Sequence, residues 1–210
     1  DLPGPARDYV DVLARKSQRL KALTEDLFEA AKAASGTLPV HMERVDLCAL
    51  IRQGMGELDD RIIQSGLTIR TNFCEESLVN ADGRLLWRIL ENMFSNALKY
   101  AMPASRVYLA TRDLGDYIQL EMKNVSAREL GIPADELMER FVRGDSSRHS
   151  EGSGLGLSIA RNLAQLMGGH FGIAIDGDLF KASVTLRRWK EPEEQPEGGE
   201  AKGGNEKAGG

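Results

Sequence analysis

Apolar and small residues recur at steps of four and three along Ala6, Val10, Leu13, Ser17, Leu20, Thr24, Leu27, Ala31 and Ala34, the spacing of a heptad seam. Tyr9, Leu23 and Phe28 widen that stripe, so residues 5–35 read as one long helix. Its small and polar seam positions suit a multi-helix bundle in which the helix meets a partner. Gly36 and Pro39 stop it. The period then shortens. "VHMERVDL" gives a short strand, and Asp46 is placed to cap a helix over 47–65 that Gly66 ends. "LTIRTNF" and "SLVNAD" alternate as two paired strands would. From Asp82 to Lys99 the helical period returns, with Leu85, Leu86, Ile89, Leu90, Met93, Phe94 and Ala97 on one side. "RVYLATRDLGDYIQLEMKN" is two strands around a DLGD turn. A short helix in "IPADELMERF" with Pro133 in its first turn, a polar loop "RGDSSRHSEGS", a helix over 156–167 and a hairpin turning at Asp176-Gly177-Asp178 complete the pattern.

These elements predict an α+β fold: a two-layer α/β sandwich whose mixed, mostly antiparallel sheet is covered by helices on one face, preceded by a long N-terminal helix. Three parts follow. Residues 1–38 hold the helix and 39–189 the sandwich. Residues 190–210, an acidic Gly-rich stretch without a core-forming side chain, read as a disordered tail.

Composition narrows the function. The chain has 210 residues, 41% of them hydrophobic, which is enough for a real core. Its net charge of -5, with no dense Lys/Arg block, argues against nucleic acid, because neutralising phosphates needs a basic face. Cys48 and Cys74 lie far apart and lack Cys/His neighbours at metal-ligand spacing. Neither a zinc site nor a disulfide framework is expected, but free, partly buried thiols in a reducing compartment. No apolar run reaches the roughly 18 residues of a membrane span, and no signal peptide is present. Because the chain starts at Asp1, it is expected to be a fragment, with any membrane segments lying upstream.

Two stretches carry chemistry. In "EGSGLGLSIARNLAQLMGG", glycines 152, 154 and 156 run into a helix N-terminus. There the first N–H groups lack intrahelical partners and the helix dipole favours negative charge. Gly152, Gly154 and Gly156 let the backbone approach phosphate oxygens without a Cβ in the way, and Ser153 and Ser158 offer hydroxyls. A flexible loop before a capped helix is the plainer alternative. No Lys-Ser/Thr follows, which excludes a Walker A loop, and the preceding segment is not a strand, which excludes a dinucleotide fingerprint. In "RLLWRILENMFSNALKYA", Asn92, Asn96 and Lys99 form a stripe on an otherwise apolar helix, with Tyr100 beside it. Two amides and a lysine there suit a hydrated Mg²⁺ held by amide oxygens and phosphates neutralised by an ammonium. Capping and snorkelling side chains are the plainer reading.

"NMFSNALKYA", "LMERFVRGDSSR" and "GSGLGLSIA" resemble, in this order, the N-box, F-box and G2-box of bacterial sensor histidine kinases. Those kinases belong to the GHKL, or Bergerat-fold, ATPase superfamily that also holds gyrase and the MutL repair proteins. The resemblance covers about 5–188. It makes the first helix similar to the second helix of the dimerisation domain, and "MERVDL" similar to the domain junction. It implies ATP and Mg²⁺ as ligands, with Asn96 on the metal and Asn92 helping through its amide or a bound water. Lys99 is implied to contact phosphate and Tyr100 to lie near the sugar and base. Gly152, Ser153, Gly154, Leu155, Gly156 and Leu157 would line the nucleotide, with Phe141 of the F-box beside it. Arg143 would reach the γ-phosphate or organise a lid over 142–153; the alternative is a solvated arginine, as for Arg140. Arg148 and His149 would lie in that lid, His149 as an ordinary loop residue.

Relatives that hydrolyse ATP carry a Glu where this chain has Asn92. An amide cannot accept a proton at neutral pH, so the resemblance implies phosphoryl transfer to a histidine rather than to water. One motif departs from the family. The adenine site usually reads Asp-x-Gly-x-Gly; here "MKNVSARELGIP" offers Asn124, Ser126 and, after an insertion, Gly131. A carbonyl in place of a carboxylate weakens the bond to the adenine amine by on the order of 1 kcal/mol, a several-fold loss of affinity. A phosphoacceptor histidine followed by an acidic residue on a helix is absent, since His41 follows Pro39 and His170 starts a strand. The expected partners are a second copy through the N-terminal helix of the full-length protein and a response regulator, at the cytoplasmic side of a membrane. A nucleotide-binding scaffold acting through helix pairing is the competing reading, and a serine kinase acting as an anti-sigma factor is a third.

Overall fold

The computed structural model describes residues 4–130 and 155–191. The expected short helix, the lid and the tail beyond Glu191 lie outside these residues. Helix α1, Gly4–Ala34, is the long N-terminal helix, and Gly36 ends it with a left-handed φ of 68°. Its seam is largely uncovered: Val10, Leu13, Leu20 and Leu27 are exposed, as are Tyr9 and Phe28. Only near its end does it reach the core, through a half-buried Ala30 and a buried Ala33.

Strand β1, Glu43–Asp46, leads directly into α2, Leu47–Glu57, where Asp46 caps as expected by accepting the Ala49 N–H at 3.0 Å. The single helix expected over 47–65 is instead two. Leu58 leaves the helical region at φ -101°, ψ 6°, and α3, Asp59–Ser65, follows. Gly54 and Gly56, poor helix formers, precede the break. Gly54 has a packing reason to be there: a Cβ would stand 2.3 Å from the Trp87 ring.

The main sheet has the order β2-β4-β5-β7-β6, from β2 (Thr68–Asn72), β4 (Arg106–Asp113), β5 (Tyr117–Val125), β6 (His170–Asp176) and β7 (Leu179–Arg187). Only the β2–β4 pair is parallel. The expected pairing of "LTIRTNF" with "SLVNAD" does not occur. The second segment forms β3, Leu78–Ala81, which pairs antiparallel with β1 in a separate two-stranded sheet. The connection between the two strands explains this. It crosses the start of α2, where Ser77 accepts the Leu47 N–H on its carbonyl and the Cys48 N–H on its hydroxyl. Alternation alone reports which face of a strand is buried, not its neighbour.

One face of the main sheet is apolar: Val107, Leu109, Ile118, Leu120, Met122, Phe180, Ala182, Val184 and Leu186 are all buried. Helix α4, Gly83–Tyr100, lays Leu86, Ile89, Leu90, Met93 and Phe94 into this core, and α5, Gly156–Leu166, adds Ile159, Ala160 and Leu163. The two-layer sandwich with its helices on one face is thus the expected architecture.

A buried carboxylate fixes the start of α4. Asp82 accepts the N–H groups of Arg84 at 3.0 Å, Leu85 at 3.3 Å and His41 at 2.9 Å, and pairs with the Arg84 guanidinium at 3.1 Å. Burial pushes its carboxyl up, but the bonds from His41, Leu85 and Arg84 outweigh that and hold it below the ordinary carboxylate value. A depressed folded value stabilises the fold above the unfolded value, and that contribution is lost as pH falls through the folded one. Asp82→Ala is therefore expected to cost about 2 kcal/mol at neutral pH. It should also flatten the loss of stability below about pH 4, read from urea unfolding across a pH series.

Candidate nucleotide site

The site grows from the polar stripe on α4. Asn92 is half-buried, and its Nδ2 donates to the Arg88 carbonyl at 3.0 Å, one turn back in the same helix. That bond fixes the carboxamide and leaves Oδ1 as the group it presents. What it faces is the first residue of α5. A Cβ built on Gly156 would stand 2.8 Å from Asn92 Oδ1. Gly156 thus admits the amide where any other residue would displace it. The amide oxygen and the N-terminal turn of α5 are brought together.

This N-terminus differs from those of α2 and α4. The caps of α2 and α4 are Asp46 and Asp82, whose carboxylates satisfy first-turn donors. In α5 the cap position is Leu155, which has no side-chain acceptor. Among the described residues no side chain caps this turn, and a helix start beside an amide oxygen suits a phosphate with its counter-cation. Two expectations change here. Ser158 does not offer its hydroxyl outward: it is buried and donates to the Leu155 carbonyl at 2.8 Å. Leu157 is likewise buried, so only its main chain can meet a ligand.

The far end of the stripe is a second cluster. The Tyr100 carbonyl accepts the Ala127 N–H at 2.8 Å, Ala101 pairs with Ser126, and the Met102 N–H reaches the Val125 carbonyl at 2.8 Å. The end of α4 is thereby fastened to the end of β5, which sets Tyr100 beside Asn124 and Ser126. Both of these are buried. Asn124 shares the helix-covered face with Leu120 and Met122, and its Nδ2 donates to the Val125 carbonyl at 3.3 Å. Its Oδ1 accepts nothing among the described residues. Ser126 Oγ accepts the Arg128 N–H at 3.3 Å. Eight residues of helix, about 12 Å, separate Asn92 from Tyr100, a span a nucleoside triphosphate can bridge.

Asn96 lies half-buried between the clusters. Lys99 is exposed, and its ammonium stacks 4.8 Å from the centroid of the Tyr100 ring rather than reaching the Asn92 end. Gly131, Phe141, Arg140, Arg143, Arg148, His149, Gly152, Ser153 and Gly154 lie outside the described residues. Sequence reasoning missed Arg88. Its guanidinium holds Asp26 at 2.5 Å and Glu29 at 2.9 Å on α1 and Glu91 at 3.2 Å on α4. The available signal was two carboxylates three residues apart on α1 and an arginine one turn before Asn92.

The fold is an α/β sandwich that carries these two clusters along one helix, and comparison with known proteins shows its family. Residues 81–202 match the family described as histidine kinase-, DNA gyrase B-, and HSP90-like ATPase, and the chain belongs to that family, as an ATP-binding domain of the histidine-kinase kind. The swarming motility regulation sensor protein RssA of Serratia marcescens is 32% identical over 165 residues, covering 77% of this chain and 34% of that protein. The sensor histidine kinase HprS of Escherichia coli strain K12 is 29% identical over 153 residues, covering 72% and 33%. The chain thus spans about a third of the length of these relatives. Among solved structures, the Acinetobacter baumannii histidine kinase AdeS shares the fold with a TM-score of 0.69 at 17% identity, covering 85% of this chain and 83% of that one. The histidine kinase ThkA, solved in complex with the response regulator TrrA, gives 0.71 at 17%, covering 90% and 53%.

The contact between α4 and α5 is open to test. Gly156→Ala is expected to push the Asn92 carboxamide aside while the core, which it does not touch, stays folded. Affinity for an ATP analogue should fall about tenfold or more, with the unfolding midpoint moved by only a few degrees, as read by calorimetric titration and a thermal melt.

Proposed function

We infer that this chain is the catalytic part of a sensor histidine kinase and transfers the γ-phosphoryl group of ATP to a histidine on a dimerisation helix. The observation that carries the reading is the Asn92 amide oxygen held against Gly156 at the start of α5. The stripe suits magnesium: Asn92 presents an oxygen, and Asn96 follows one turn on. Bound there, the ion would neutralise charge between the phosphates. The first-turn N–H groups of α5 cradle the phosphate oxygens, and Asn124 and Tyr100 meet the base and sugar. Lys99 moves from its stacked position to phosphate, and Gly131, Phe141, Arg143, Gly152, Ser153 and Gly154 are the further nucleotide-binding residues of this reading.

The same geometry disfavours hydrolysis. By the resemblance, Asn92 takes the position where ATP-hydrolysing relatives carry a glutamate base, and an amide does not take up a proton at neutral pH. Glu91, the nearest carboxylate in sequence, sits about 100° around the helix, and Arg88 holds it. Water therefore stays unactivated and the phosphoryl group is kept for a better nucleophile. That acceptor is not His41 or His170, neither of which lies on a helix. The uncovered seam of α1 supports a second copy as the bundle partner. We place residues 1–38 in the dimerisation bundle and 39–189 in the catalytic domain. The domain works in the cytoplasm, beneath a membrane anchor carried by other parts of the protein, and a response regulator receives the phosphate.

Mixed with labelled Mg-ATP and a polypeptide carrying the histidine-bearing helix, the chain should produce an acid-labile phosphate on that helix. Asn96→Ala should cut the rate about a hundredfold. ATP binding with no transfer to any bundle would instead support a scaffold.

A further inference from the structure

Two thiols far apart in sequence converge on one hydroxyl. Cys48 lies in the first turn of α2, and its Sγ is 3.7 Å from Thr111 Oγ1 in β4. Cys74 lies just beyond β2, and its Sγ is 3.3 Å from the same oxygen. Both are free thiols. Their surroundings differ. Cys48 is buried and its N–H is tied to Ser77 Oγ at 3.2 Å. Cys74 is half-buried, on a connection without regular structure, held by its N–H to Thr111 Oγ1 at 2.9 Å and by its thiol to the Glu76 carbonyl at 3.2 Å. No group of three metal-ligating side chains occurs among the described residues, so nothing there turns the pair into a metal site. None of these groups belongs to the nucleotide site.

We propose that Cys48 and Cys74 form a dithiol–disulfide site that a peroxide oxidises reversibly. The more accessible partner reacts first. Cys74 Sγ attacks a peroxide oxygen, the O–O bond breaks, and Cys74 becomes a sulfenic acid as hydrogen peroxide yields one water. Cys48 Sγ then attacks the Cys74 sulfur. The S–S bond forms, the S–O bond breaks, and the departing hydroxide leaves with the Cys48 proton as a second water. Two thiols lose two protons and two electrons, and the peroxide takes them up. Rotation of the Thr111 side chain that both sulfurs contact, with movement of the 73–77 connection, lets the two sulfurs meet. The bond ties the first turn of α2 to the end of β2 and closes a chain loop containing α2, α3 and β2. The oxidised protein therefore resists thermal unfolding better than the reduced one.

The test uses the whole chain, reduced, freed of reductant and exposed to hydrogen peroxide. Both thiols should vanish together with the loss of the mass of two hydrogen atoms. Proteolysis should then yield the Cys48 peptide joined to the Cys74 peptide, the unfolding midpoint should rise, and dithiothreitol should reverse all of this. In Cys48→Ser, Cys74 should stop at a sulfenic acid that dimedone traps. Wild-type protein that keeps an alkylatable Cys48 after Cys74 has oxidised would overturn the proposal. So would a disulfide formed only between two copies.

Discussion

The helix that carries the candidate site is held at its start by one buried carboxylate. Asp82 gathers the His41 N–H of the chain coming from α1, the first-turn donors of α4 and the Arg84 guanidinium, while its own N–H reaches the Met167 sulfur at the end of α5. The connection after α1, the start of α4 and the end of α5 meet on this residue. With α4 anchored there, and its far end fastened to β5 through Tyr100, Ala101 and Met102, the intervening polar stripe has a fixed place above the sheet. The contact of Asn92 with Gly156 follows from that placement.

The two faces of the sheet solve different problems. The inner face is a continuous apolar layer that α4 and α5 cover. The outer face is polar yet contains a buried acid. Glu121 sits among Lys123 at 3.1 Å, Arg112 at 3.3 Å and Lys181 at 3.4 Å. Burial pushes its carboxyl up, but Lys123, Lys181 and Arg112 outweigh it and hold the group below its usual value. α1 leaves most of its seam exposed but packs near its end against α5 and the core. Arg88 joins it to α4 through Asp26 and Glu29, and the same residue lends its carbonyl to Asn92. One residue thus touches both α1 and the amide of the candidate site.

Much of this was legible in the sequence. The apolar period of α4 is strong over five turns, and the Asp46 cap of α2 and the glycine ends of α1 and α3 are local signals that the fold obeys. The layers followed from alternation in β4, β5 and β7. What was not legible depended on tertiary contact. The break at Leu58 and the need for glycine under Trp87 arise from packing between α2 and α4. The pairing of β2 and β3 was misread because period-two alternation carries no information about neighbours. Within the site, the stripe of Asn92 and Asn96 and the glycine before α5 could be named, but their meeting could not. The inward turns of Ser158 and Leu157 and the stacking of Lys99 on Tyr100 are likewise outcomes of the folded helix ends.

The central claim is that a nucleotide lies along α4 with its phosphates at the start of α5. Amide NMR during titration with a non-hydrolysable ATP analogue and Mg²⁺ tests it most directly. The account predicts the largest shifts at the Asn92 and Asn96 carboxamides, the first turn of α5 and the Asn124–Ser126 segment, with the outer sheet face around Glu121 silent. Shifts centred away from α4 and α5, or none at saturating analogue, would contradict it.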